Sequence, residues 1–107
     1  MVKVWRIENE KGMGPYWNIP IALEKDLARN YPKHWNGTPQ RPSPWREFQR
    51  DQKRTEFCGF LTMAQAVRWF TKKQRAILEA HGYHLVQVLA SEITAGNRKS
   101  CQVLFVR

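Results

Sequence analysis

A chain of 107 residues is long enough for one core and too short for two. Its hydrophobic content of 42%, aromatic content of 12% and five Trp exclude a disordered polymer. Eighteen Lys and Arg against nine Asp and Glu leave +9, which favours an acidic protein, a nucleoprotein surface or nucleic acid as partner.

The first element is "VKVWRIEN". Alternation puts Val2, Val4 and Arg6 on one face of a strand and Lys3, Trp5 and Ile7 on the other. Arg6 thus lies at the end of the core or points into a site, and its head needs a partner either way. The pattern stops in "KGMGPYW", where Gly12, Gly14 and Pro15 predict a shaped loop delivering Tyr16 and Trp17 beside Arg6. That loop either seals one end of the core, the preferred reading, or walls a shallow cleft.

"IALEKDLARNY" returns to helical spacing, with Ile19, Leu23 and Leu27 on one face and Ala22 beside them. Residues 32–45 hold four of the six prolines and Asn36-Gly37, which predicts a Pro-rich surface loop. In "WREFQRDQKRTE" a short helix would repeat Arg46, Arg50 and Arg54 every four residues as a basic stripe. "EFCGF" is a short strand whose Gly59 implies a bulge or another backbone passing close by.

Thr62 with Gln65, and Thr71 with Gln74, are spaced as capping boxes and open two short helices or one kinked helix. Gly82 suits the left-handed position beyond the second helix, next to His81 near its negative end. "YHLVQVLAS" and "CQVLFVR", separated by a Gly-Asn turn, read as an antiparallel hairpin. The expected fold class is α+β, a single domain over residues 1–107 in which an antiparallel sheet with a C-terminal hairpin packs against two or three short helices.

Arg46, Arg50 and Arg54, joined by Arg68, Lys72 and Arg75, are the candidate partner-binding surface, with Trp35 and Trp45 as aromatic anchors among the cations. Two solvated helix faces and a loop folded back by its tryptophans are the plainer alternative. Trp69 and Phe70 are assigned to the core. No P-loop, GxSxG elbow or HExxH occurs, so no catalytic residue is assigned, and His34, alone in its loop, reads as solvated. Cys58 and Cys101 form no CxxC pair and are expected to be buried reduced thiols; no metal and no cofactor are expected. No segment approaches the roughly 20 apolar residues of a membrane span, and the amino terminus lacks a signal-peptide run, so a cytoplasmic address is expected.

"VWRIEN" with "GMGPYW", "FCGFLTMAQAVRWF", "HGYHLVQV" and the terminal "QVLF" together resemble a group of small bacteriophage and prophage proteins that open with an aromatic-Arg strand and a GxGPY loop. The resemblance implies a non-enzymatic accessory protein in a bacterial host, binding a host factor through the basic, aromatic surface; an inhibitor of a bacterial defence complex, in the manner of an anti-CRISPR protein, is its most concrete form. Direct DNA or RNA binding through the same face is the alternative. The layout is also faintly similar to ADP-ribosyltransferase-like folds, which implies an enzyme or nucleotide binder using Arg6, Tyr16, Thr62 and Gln102. There Gln102 stands in place of a glutamate, and an amide can bond a ribose but cannot supply the carboxylate's charge.

Overall fold

The structure is a computed structural model and describes residues 2–15, 19–30, 48, 52–95 and 102–107. Among the described residues, five strands and three helices of more than one residue follow in the order β1 (Val2–Glu8), α1 (Ile21–Asn30), β2 (Glu56–Phe60), α2 (Met63–Trp69), α3 (Lys72–Ala80), β3 (His84–Ala90), β4 (Glu92–Ala95) and β5 (Gln102–Val106). All pairings are antiparallel, in the spatial order β3-β1-β2-β5-β4. The α+β class is as expected.

The strand order dictates a curled sheet. β3 and β4 stand at opposite ends of the order, yet only Ser91 separates them in sequence. Four strand spacings in a flat sheet would hold them about 19 Å apart, whereas the two peptide steps from Ala90 to Glu92 span at most about 7 Å. The sheet therefore rolls up until its ends meet, and residues 84–95 act as one strand bent at Ser91. The bend is fixed by the Ser91 backbone and hydroxyl, which donate to the Val106 carbonyl at 2.7 and 3.2 Å.

This corrects the hairpin expected between "YHLVQVLAS" and "CQVLFVR". β5 pairs with β4, from Glu92 opposite Val106 to Ala95 opposite Val103, while β3 pairs along its whole length with β1. Residues 92–95, assigned to the connection that carries the Gly-Asn turn, form a strand because β5 supplies the ladder bonds they need.

Two apolar clusters follow from the alternation of β1. Ile7 and the partly buried Trp5 face Leu23 and Leu27 of α1, Ala66 and Trp69 of α2, and Leu78 of α3, with Phe60, Phe70 and Tyr83 completing the set. Ala22, a quarter-turn from Leu23, is exposed instead of joining that face. On the opposite face Val4, Ala90, Val103 and Phe105 bury one another with Phe57, Val88 and Ile93 at their margin. No described helix contributes to this second cluster; the curl of the sheet encloses it.

Local chemistry sets the helix ends. At α2 and α3 the Thr62 and Thr71 hydroxyls accept from the Gln65 and Gln74 backbone N–H groups, and those glutamine side chains accept from the cap N–H groups in return. Gly82, at φ 83°, takes the left-handed step after α3. His81 at that C-terminus meets Asp26 of α1 at 3.0 Å, which ties the two helices together. Gly59 lies where a Cβ would come within 3.0 Å of the Trp5 carbonyl, the close backbone that its place in a strand implied. Among the described residues no helix is long and apolar enough to cross a membrane.

Candidate functional site: a cleft at a split in the sheet

β1 pairs with β3 at seven consecutive positions but meets β2 at one, Trp5 opposite Phe60. Continued register would set Ile7 opposite Cys58; both instead line a cleft of about 710 Å³. Its remaining walls come from the Gly12–Pro15 loop, the Gln52–Arg54 segment and the side chains of Phe57, Phe60, Trp69 and Phe70. Three of its lining residues are buried and polar or charged: Arg6, Glu56 and Gln102.

Both walls are shaped by their own sequence. Asn9 accepts through Oδ1 from the Lys11 and Met13 backbone N–H groups at 3.0 and 2.9 Å, while its own N–H donates to the Met13 carbonyl. Gly12, at φ 78°, permits the turn. Gly14 then lies so close to Arg6 that a Cβ there would stand 2.7 Å from the guanidinium NH2. Across the cleft, Glu56 accepts the Lys53 N–H at 2.8 Å, and Gln52 donates from Nε2 to the Glu56 carbonyl at 2.6 Å. Glu56 thereby draws Lys53 and Arg54 into a turn leading to β2, and Arg54 is not on the helix expected to carry it.

Arg6 dominates the electrostatics. Only 6% of the residue is exposed. Its Nε lies 3.2 Å from the Glu8 carboxylate, which also pairs with the Arg107 guanidinium. Its guanidinium carbon sits 5.0 Å from the Phe57 ring centroid and 5.9 Å from that of Phe105, and Arg107 covers Phe57 as well. Burial lowers the Arg6 pKa, Glu8 opposes that shift and Arg107 adds to it. One carboxylate is thus shared by two arginines, and both Nε and NH1 of Arg6 are buried without a hydrogen-bond partner, Nε being only ion-paired with Glu8.

Cys58 faces the same space, unbridged, with its thiol donating to Gln52 Oε1 at 3.4 Å. Burial pushes its pKa up to about 12, against an opposing pull from Arg6. It is therefore a neutral thiol, ill suited to nucleophilic attack near pH 7.

The expected site residues fall into separate groups. Arg54 lines the cleft; Arg68 and Lys72 are exposed on α2 and α3, and Arg75, half-buried, points Nε at the Thr71 carbonyl. Arg46, Arg50, Trp35, Trp45 and Tyr16 lie outside the described residues, as do Trp17, His34, Cys101 and the loop at 32–45. Of the set drawn from the transferase resemblance, Arg6 and Gln102 share the cleft, whereas Thr62 is the α2 cap and is not one of its walls. The Glu8–Arg107 link, which joins Arg6 to the far end of the chain, carried no local sequence signal.

A second, broader groove of about 1000 Å³ runs from Glu8–Met13 past Ile19–Ile21 to His81–His84. Of the polar groups along it, Asn9 and His81 are engaged by the loop backbone and by Asp26, and Glu8 by Arg6 and Arg107, while Glu10, Lys11 and His84 also line it.

A family model described as Bacteriophage T4 Y00F protein matches residues 1–107. The chain belongs to that bacteriophage family. Y00F membership covers the strand with Arg6, the glycine loop and the closing β5 strand alike, and makes the chain a small phage protein. No curated protein and no solved structure matches it.

Proposed function

We propose that this phage protein is a non-enzymatic accessory factor that binds an acidic host protein or nucleoprotein in the bacterial cytoplasm, with an inhibitor of a host defence complex as the most concrete version. The observation that carries the reading is that Arg54, Arg68 and Lys72 are exposed and make no ion pair with any described residue, in a chain of net charge +9. An excess of exposed cations favours encounter with an acidic surface. Arg46 and Arg50, adjacent in sequence to Arg54, would extend that field, and Trp35 and Trp45 are the candidate anchors.

Capture from bacterial lysate by the immobilised chain is expected to recover one stoichiometric acidic partner. The triple substitution Arg54→Ala, Arg68→Ala, Lys72→Ala should lose it while leaving the far-UV circular dichroism unchanged. Recovery of no such partner, or equal recovery by the triple variant, counts against the reading. The same exposed cations favour direct DNA or RNA binding as the second reading; purified nucleic acid would then bind with an affinity that falls steeply as salt rises.

A further inference from the structure

We infer that the outer edge of β3 pairs antiparallel with the same edge of a second copy of the chain, giving a two-fold symmetric dimer. The inference is independent of the acidic partner proposed above, since β3 carries none of the cations on which that reading rests.

β3 uses one edge for β1, with which it pairs at every position from His84 to Ala90, and no described strand lies along the other. In an antiparallel ladder the backbone N–H and C=O groups point alternately to the two sides, so about half of those of β3 face outward with no described strand to bond. Such an edge is a template for another chain, and natural sheets blunt their edges by short length, charge or proline. The opposite end of the strand order is blunted in this way: β4 has only four residues and opens with Glu92. β3 is not. It runs for seven residues with no Asp, Glu, Lys, Arg or Pro, and its Leu89 is 53% exposed.

Charge and symmetry choose the occupant. A chain of net charge +9 attracts an acidic segment through its cations, and this edge offers none. A strand without Lys, Arg, Asp or Glu can instead meet its own copy with no like charges opposed. Two-fold pairing centred on Gln87 sets Leu89 opposite Leu85 of the partner subunit on the helix-covered face, and Val86 opposite Val88 of the partner subunit on the inner one. Leu85, Val86 and Val88 are each half-buried within one chain, and the pairing covers apolar surface that they and Leu89 leave in water. Lys3, opposite Leu89 on β1, stands one strand back from the contact.

The test is sedimentation velocity of the intact chain from about 10 µM to about 1 mM, where a reversible monomer–dimer equilibrium is expected, in the weak range of a small interface. Added salt should strengthen the dimer severalfold, because it screens the repulsion between two copies of charge +9 while the contact itself is uncharged. Leu89→Lys and Gln87→Lys, both at exposed positions, should each raise the dissociation constant at least about tenfold with the far-UV circular dichroism unchanged. Ile21→Lys adds the same charge at an exposed position of α1 and should leave the dimer intact. In a mixture of isotope-labelled and unlabelled chains, intermolecular nuclear Overhauser contacts should join Leu89 to the partner's Leu85. A chain that stays monomeric across the concentration range overturns the inference, as do a dimer that salt weakens, a dimer that either β3 variant leaves intact, equal loss in Ile21→Lys, or intermolecular contacts made through another element.

Discussion

On the helix-covered side of the sheet, Ile7, Phe60 and Tyr83 are sealed by leucines of α1 and α3 and by Trp69 of α2, and everything in that cluster is apolar or aromatic. On the inner side, Val4, Val103 and Phe105 are sealed by the curl of the sheet itself, and an arginine shares the space with them. The first region is built as a stability core, in which each side chain contributes by leaving water. The second holds a buried cation whose desolvation is only partly offset by Glu8 and two aromatic faces. The buried arginine sets the inner side apart, and the cleft beside it draws on both regions, since Ile7, Phe60, Trp69 and Phe70 belong to the helix-covered cluster.

Substitution of Leu78 by Ala should have the largest effect on that contrast. Leu78 is fully buried on α3, and Leu→Ala at such a site costs about 2–5 kcal/mol through lost burial and a residual cavity. Chemical denaturation of this variant measures the cost directly. Arg6→Met comes next: an unbranched apolar chain of similar length removes the unserved Nε and NH1 and leaves Glu8 paired with Arg107, so stability should stay level or rise by about 1 kcal/mol. If Arg6→Met proves as costly as Leu78→Ala, the two regions do the same job and the contrast collapses.

The smallest effect concerns pH and sharpens the picture of the cleft. Cys58 is raised from an ordinary value of 9.0 to about 12. Above pH 9 the unfolded chain loses the thiol proton that the folded chain keeps, so the unfolded state binds fewer protons and stability falls with rising pH. The contribution is fully present below about pH 9 and is lost progressively toward pH 12. Denaturation midpoints at pH 8 and pH 10.5 should therefore diverge less in Cys58→Ala than in the unsubstituted chain; an unchanged divergence would mean that the thiol is not desolvated.

Much of the secondary structure was legible because its causes are local. The two capping boxes need only Thr and Gln three residues apart, Gly82 needs only the end of a helix, and the alternation of Val4, Trp5 and Arg6 needs only the period of a strand. Arg54 and Ala22 were misplaced for the opposite reason. Helical spacing suggested a stripe at Arg54 and placed Ala22 beside the inward face, but Glu56 captures the Lys53 N–H and commits that segment to a turn, and Leu23 and Leu27, one turn apart, fill the buried face and leave Ala22 exposed. The site was half visible. Arg6 on the valine face signalled a polar group in need of a partner, whereas Glu8, Arg107 and Cys58 carried no comparable signal.

By itself, then, the sequence determined the α+β class, the two capped helices, the shaped glycine loop and the excess of positive charge, since each depends on composition or on residues a few positions apart. Only the tertiary structure decided that β4 rather than β3 pairs with β5, that the sheet rolls until its ends meet at Ser91, and that β1 parts from β2 beside Arg6. Those outcomes depend on which strands find each other across dozens of residues, a choice made by the joint burial of two clusters and expressed in no local pattern.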